Sequence, residues 1–377
     1  MQSKQKVFTL VSRHYFTVYG RKTTVHFIAR EFVKLGYQVN FITVGRSRLS
    51  QLGKAEGKGI PKDLSYTKFH EIEPSISAIV LDELIHPVSS ANKIIKASTS
   101  PALLRYGQNL PNNVENQISS SDIILIECGY GVAYYETMRK KAKDATFVYF
   151  ATDPLTQVGL REEFEDIETQ ALPSFDLVRV ANADLAERFP PNTNVIQIPQ
   201  GLDKKVFDDA KTSPYENGTE NLISIGDMAF DQKTLCHMAT ARPDIFIHVF
   251  GANVDAPHPA NILVHGEVDF STLVPYIKFA NVGVMPYKMT SDMGYLTKTS
   301  LKFLQYTYCG LPILTPQGPD WERKKIFSYD AGNLNSITKA LNLALAEPED
   351  MDMGTNISDW SDCVKTLIAQ INKVREI

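Results

Sequence analysis

Two hydroxyls, a lysine and the start of a helix fall together at Thr299, Ser300 and Lys302. The surrounding segment, TSLKFLQYTYCGLPIL from Thr299 to Leu314, reads as a short helix that stops at Gly310 and runs into a buried strand. The first turn of a helix leaves backbone N–H groups unpaired at the positive end of its dipole. With hydroxyls and a cation beside it, such a turn is a ready binding place for a diphosphate. Gln305 and Tyr306 follow Lys302 by three and four residues, so they lie near the same helix face.

Other polar groups stand where apolar strands end. The strand Phe147 to Phe150 runs into Ala151-Thr152-Asp153-Pro154. An acid at the carboxyl end of a strand is placed to act as a general base, or equally to cap a helix that begins with Pro154. Gly226 to Asp231, GDMAFD, follows a strand and opens a helix. Its amides can reach a phosphate or a base edge, and Asp231 can instead serve as the helix cap. Glu267, in LVHGE, stands where a ribose or base edge would lie, or is a solvated loop acid. Tyr287, closing Met285-Pro286-Tyr287, offers its hydroxyl to a phosphate oxygen or is a half-buried surface tyrosine. Three strand ends followed by a phosphate-type helix point to one shared ligand more readily than to independent decoration.

The elements that must position these groups alternate in type. Strands are expected at Val7–Val11, Val39–Val44, Asp122–Glu127, Thr146–Phe150, Asp176–Val180 and Val195–Ile198. The apolar spacing of Val25, Ile28, Ala29, Phe32 and Leu35 predicts a helix between the first two, stopped by Gly36. The alternation restarts with Leu222–Ile225, Ile245–Phe250, Ile262–Val264, Val282–Met285 and Pro312–Leu314, and an amphipathic helix carries Val364, Leu367, Ile368, Ile371 and Val374. Such alternation predicts parallel sheets covered on both faces, with ligands beyond the carboxyl ends of the strands. The turn-rich KTSPYENGTE, Lys211 to Glu220, is the expected linker, and the polar region from Ser47 to Pro111 is expected to form long loops.

Length and charge narrow the class. A chain of 377 residues with 43% hydrophobic content can bury two cores. From Met1 to His70 there are 13 Lys and Arg against 3 Asp and Glu, a surplus of ten; with −4 overall, the remainder carries −14. A basic N-terminal portion on an acidic body suits an anionic surface, or is simply a solvated face. Nucleic acid is not expected, because the basic residues lack aromatic interleaving. The four cysteines, Cys128, Cys236, Cys309 and Cys363, show neither disulfide nor zinc spacing and fit a reducing cytosol. No apolar h-region opens the chain, and no run approaches the roughly 18 apolar residues of a membrane span. The expectation is a soluble or peripheral protein.

Motifs of other chemistries are missing: no G-x-G-x-x-G after the first strand, no G-x-x-x-x-G-K-[ST], H-E-x-x-H or G-x-S-x-G. The single D-x-D, Asp350-Met351-Asp352, sits in an acidic loop rather than after a strand, so no metal is expected and Lys302 with its helix start is left to neutralise a diphosphate.

The spacing K-x-x-Q-Y-x-x-x-G-L-P-I resembles the donor-binding segment of two-domain GT-B glycosyltransferases. More widely, from about Val7 to Asp362, the chain resembles the GumK-like glucuronosyltransferases of glycosyltransferase family 70. The resemblance is carried by SRHYF at Ser12, TVHFI at Thr24, RSRLS at Arg46, VYFATD at Val148, GDMAFD at Gly226, HGEV at His265, MPY at Met285 and SLKFLQY at Ser300. It implies an α/β fold of two Rossmann-like domains facing a cleft. The implied divisions are an acceptor domain over 1–203, a nucleotide-sugar domain over 204–357, and a helix over 358–377 returning to the first. It also implies inversion at the anomeric carbon without a metal, with UDP-glucuronate or a related UDP-sugar as donor. The implied acceptor is a polyprenyl-diphosphate-linked oligosaccharide of bacterial exopolysaccharide synthesis. Asp153 matches the catalytic aspartate; Met228, Asp231, Glu267, Tyr287, Ser300, Lys302 and Gln305 match the donor site. The acceptor would lie near His14, Arg21 and His26, with the basic loops on the anionic cytoplasmic leaflet, each Lys or Arg worth about 1 kcal/mol there.

Two details qualify the match. Pro154 stiffens the loop after Asp153, and the charge around Lys298 differs from the family pattern. Retaining GT-B enzymes usually carry a glutamate where Gln305 stands, so this chain fits the inverting group. The rival readings are a non-catalytic nucleotide-sugar-binding protein and a UDP-sugar epimerase on the same fold.

Overall fold

The computed structural model describes residues 5–47, 61–81, 83, 87, 100, 101, 103, 105–157, 159–288, 300–318, 323–347 and 356–376. The chain forms two compact units. The first comprises Met1–Val18, Thr23–Pro199 and Trp360–Ile377; the second comprises Tyr19–Lys22 and Gln200–Asp359.

In the first unit, eight strands form one sheet: β1 (Lys6–Ser12), β2 (Tyr37–Thr43), β3 (His70–Glu73), β4 (Ile76–Val80), β5 (Ile123–Glu127), β6 (Thr146–Ala151), β7 (Leu177–Val180) and β8 (Val195–Gln197). Their order is β3-β4-β2-β1-β5-β6-β7-β8, and every pairing is parallel except β3 with β4. Helices α1 (Thr24–Lys34), α2 (Asn112–Ser119), α3 (Tyr135–Lys141), α4 (Glu163–Ala171) and α5 (Ala183–Ala186) belong to this unit. Strands sandwiched on both faces read as continuous apolar runs, which is why β5 and β6 are buried along their whole length.

The second unit repeats the plan with β9 (Glu220–Ile225), β10 (Ile245–Phe250), β11 (Ile262–Gly266), β12 (Val282–Val284), β13 (Ile313–Pro316) and β14 (Ile326–Tyr329), in the order β11-β10-β9-β12-β13-β14. Its helices are α6 (Lys204–Asp209), α7 (Gln232–Ala241), α8 (Phe270–Lys278), α9 (Leu301–Tyr308) and α10 (Leu334–Ala346). The last helix, α11 (Trp360–Arg375), returns to the first unit. There Trp360 stacks on Phe27 of α1 with ring centroids 5.9 Å apart, and Arg375 bonds Thr146 Oγ1 at 2.7 Å and the Asp122 carbonyl. This is the GT-B plan of two Rossmann-like domains with a returning C-terminal helix.

Three expectations change. The region from Ser47 to Pro111 holds β3 and β4 where loops were expected, because Ile76, Ala78, Ile79 and Val80 are buried beside β2. Five residues are too few for their spacing to separate strand from loop. β14, a half-polar strand at the sheet edge, was also not expected. The stretch Lys211 to Glu220 is not the passage between units, which occurs at Pro199 and Gln200. Tyr215 ties that stretch into the second unit by donating to the Tyr276 carbonyl at 2.6 Å. Asp350 and Asp352, Lys298 and Thr299 lie outside the described residues.

Candidate active site

In an open α/β sheet the strand order reverses at one point, and the carboxyl ends of the strands there form a natural crevice. Each unit has one such point, and most of the polar residues singled out from sequence gather at the two.

In the second unit the reversal separates β9 from β12. Past β9, Gly226 adopts φ 78°, a conformation glycine reaches without strain, and a Cβ there would lie 3.8 Å from Lys302 Nζ. Past β12, the chain is stitched to the same loop: Asp231 N donates to the Pro286 carbonyl at 2.7 Å and Lys288 N to the Ala229 carbonyl at 2.6 Å. The loop after β9 and Met285-Pro286-Tyr287 are therefore one platform.

Helix α9 aims its first turn at this platform. Ser300 is its N-cap and makes no side-chain capping bond, while its hydroxyl lies 3.4 Å from the Tyr287 hydroxyl. Lys302 is half-buried, with Nζ 4.7 Å from the centroid of the Tyr287 ring. Desolvation first and the Arg21 guanidinium second lower its pKa to about 8, against the opposing charge of Asp227. Arg21 pairs with Asp227 at 3.6 Å and belongs to this unit rather than with the first sheet. The amide oxygen of Gln305 is buried without a hydrogen-bond partner. A partly desolvated ammonium, a second cation, free helix amides and an unsatisfied amide oxygen make a site that a polyanion with a polar tail would complete.

Close packing sets α9 at this distance from the sheet. Tyr306 is fully buried, donates to the Ile223 carbonyl at 3.1 Å and lies across Gly283 of β12. A Cβ on Gly283 would come within 2.4 Å of the Tyr306 ring, so only glycine allows the approach.

The remaining donor residues divide. Met228 is exposed on the loop after β9. Asp231 caps α7, accepting from Lys233 N at 3.2 Å and Thr234 Oγ1 at 2.7 Å, so its carboxylate holds the loop. Glu267 follows β11, and its carboxylate has no hydrogen-bond partner among the described residues. The turn before it is anchored by His265, stacked on Phe250 at 4.3 Å and bonded to His248 Nδ1 at 2.9 Å. Burial lowers the pKa of both imidazoles, with His248 near 4, so the pair is neutral at pH 7.

In the first unit the reversal separates β1 from β5, and Ser12 and Glu127 end those strands. Ser12 donates its hydroxyl to Glu127 and accepts from His14 N at 3.0 Å. Burial raises the Glu127 carboxyl to about 7; the Ser12 bond and Arg13 oppose this, and the Asp153 charge adds to it. Asp153 is half-buried just past β6 and is followed by a turn, not a helix, so it caps none. Thr152 beside it lies 3.0 Å from Cys128 Sγ, next in chain to Glu127. Burial, Asp153 and Glu127 together push that thiol up to about 12, so it is no nucleophile.

Of the residues assigned to the acceptor, His14 stands in this network, its carbonyl accepting from Thr43 Oγ1 at 2.8 Å. His26 is buried: Nδ1 accepts from Thr23 N at 3.1 Å, and Nε2 lies 2.8 Å from the Tyr15 carbonyl, to which it donates. Its ring is spent on shaping the loop. Glu127 escaped notice in the sequence, although the signal was there, a carboxylate closing the apolar run IILIE just as Asp153 closes VYFAT.

Residues 10–181 match the family described as Glucuronosyltransferase GumK, N-terminal domain. Over that stretch, a little under half of its length, the chain is similar to this family. The chain is 25% identical over 348 residues to UDP-glucuronate:glycolipid 2-beta-glucuronosyltransferase of Xanthomonas campestris pv. campestris, spanning 92% of this chain and 85% of that one. Among solved structures it resembles the trehalose-6-phosphate phosphatase N-terminal domain of Candida albicans, with TM-score 0.64, 12% identity and 98% and 97% of the two chains covered. It also resembles the alpha,alpha-trehalose 6-phosphate synthase of Burkholderia multivorans, with TM-score 0.61, 8% identity and coverage of 99% and 97%. At such identities the likeness is one of fold. It extends over both Rossmann-like domains of the chain.

Proposed function

We propose that this protein is a GumK-like enzyme that transfers glucuronate, or a related sugar, from a UDP-sugar to a lipid-linked oligosaccharide, with inversion and without a metal. The observation that carries the reading is the half-buried Lys302 ammonium near Arg21, at the uncapped start of α9 beside the strand-order reversal. The name of the Xanthomonas relative supports the donor and the glycolipid acceptor.

In this mechanism the Asp153 carboxylate takes the proton from an acceptor hydroxyl as its oxygen attacks the anomeric carbon. The bond from that carbon to the diphosphate breaks, and UDP leaves with both electrons. Lys302, the Tyr287 and Ser300 hydroxyls and the α9 amides stabilise the charge that develops on the leaving diphosphate. Electrostatic help of this kind is typically worth about 3–4 kcal/mol per well-placed donor. Glu127, protonated for part of the time near neutrality, holds Ser12 and the loop that carries His14, and so shapes the acceptor side. Met228, Glu267 and Gln305 contact the nucleoside or sugar, and Asp231 holds the loop that does so. The basic N-terminal portion rests on the anionic inner face of the plasma membrane, and the glycolipid belongs to bacterial exopolysaccharide synthesis.

The test is transfer from labelled UDP-glucuronate and UDP-glucose to a bacterial lipid extract, with and without EDTA, and NMR of the product's anomeric centre. A β-linked glucuronosyl lipid formed in EDTA is the expected product. An α-linked product overturns inversion, and activity lost in EDTA but restored by magnesium overturns the metal-free reading. Conversion of the donor without acceptor would indicate an epimerase; UDP binding without any product would indicate a non-catalytic binder. Sedimentation with anionic but not zwitterionic vesicles checks the membrane contact.

A further inference from the structure

Arg179 lies in β7, in register with Phe150 of β6, and is among the most deeply buried side chains of the first unit. Its guanidinium sits 4.1 Å from the centroid of the Phe150 ring, and Nη1 donates to the Ala151 carbonyl at 3.4 Å. Nε and Nη2 are buried without a hydrogen-bond partner. Among the described residues no carboxylate pairs with it. Burial draws its pKa down to about 9, so the group is still a cation at neutral pH.

Arg179 lines a cavity of about 10 Å³ together with Ile28, Phe150, Ile198, Trp360, Cys363 and Leu367. A buried cation is tolerated when a negative charge accompanies it and its N–H groups are engaged. A water molecule would accept from the guanidinium, but it brings no charge. It also needs two to four polar partners, which this largely apolar wall does not supply. A monatomic anion needs only donors on one side and tolerates carbon on the other.

We propose that this cavity is a halide site, binding one chloride ion against Nε–H and Nη2–H of Arg179 beneath α11. The site has a structural consequence. Arg179 also holds the carbonyl of Ala151, two residues before Asp153, while Trp360, Cys363 and Leu367 come from α11. The ion would thus link the returning helix to the end of β6, two residues before Asp153.

Two measurements test this. Melting at constant ionic strength in sodium chloride, bromide or gluconate reads the linkage. A halide at ten times its Kd should raise Tm by about 2–3 °C over gluconate, and Arg179→Met should abolish the difference. Anomalous diffraction from crystals of the unaltered protein grown in bromide should place a peak beside the two nitrogens. Equal Tm in halide and gluconate, a halide effect that persists in Arg179→Met, or no anomalous peak at the guanidinium each overturns the proposal. Should Arg179→Met fail to fold, the melts and the crystals of the unaltered protein decide.

Discussion

Replacing Lys302 by methionine should strengthen the fold and weaken the site together. Burial holds this ammonium near 8 against an ordinary 10.5. Its folded pKa therefore lies below its unfolded one, so at neutral pH the charge destabilises the native state, and the penalty fades as pH rises from 8 toward 10.5. The difference corresponds to about 3 kcal/mol at pH 7.5. Methionine matches the lysine stem in length and needs no charge, so the variant without ligand should melt several degrees higher. A charge-assisted contact to a diphosphate is worth about 1.5–3 kcal/mol, so UDP affinity should drop roughly 10- to 150-fold. Scanning calorimetry and titration calorimetry read the two effects separately. In the parent protein, UDP binding near pH 8 should take up part of a proton, visible as a dependence of the heat on the buffer's ionisation enthalpy. A variant that melts lower and binds UDP unchanged refutes the reasoning, since it would make Lys302 a packing residue with no anion to meet.

Three further outcomes follow from named contacts. Asp153→Asn should reduce transfer by at least about 10³-fold while the Kd for UDP stays within about twofold, measured by product formation and calorimetry; retained transfer removes the base role. Glu127→Gln should be the more stable form at pH 8 but not at pH 5. The parent carboxyl, raised from 4.5 to about 7, erodes stability as pH climbs through that window, and parallel melts at the two values check the sign. Gly283→Ala should lower Tm through overpacking of about 1–3 kcal/mol against Tyr306, and should weaken UDP binding by displacing α9; an unchanged Tm would mean the helix moves freely.

Much of the architecture was readable because buried parallel strands announce themselves. VFTLV, IILIE and FVYFA leave little alternative, and Gly36 and Gly310 mark helix stops where the structure has them. The segment Ile76 to Val80 was not readable, since its burial comes from β2, far away in sequence. The places of Lys302 in the first turn of a helix and of Asp153 just past a strand were legible from local sequence. What Arg21 and Glu127 face was not: Arg21 meets Asp227, more than two hundred residues later, and Glu127 meets Ser12 across the first sheet. Asp231 shows the converse, since its helix-cap reading needed only neighbours three residues away and is what the structure contains. Local chemistry is written in local sequence, whereas pairing across a reversal of strand order is a property of topology.

The return of α11 governs the order in which the molecule can be assembled. On the ribosome, residues 200–359 emerge complete before Trp360 or Arg375 exists to meet Phe27, Thr146 and Asp122. The half synthesised first is thus the half finished last, and it waits with the apolar seat of Trp360 uncovered. A product ending at Pro199 should therefore associate with itself or with chaperones, and a separate peptide spanning 356–376, added in trans, should restore its monodispersity.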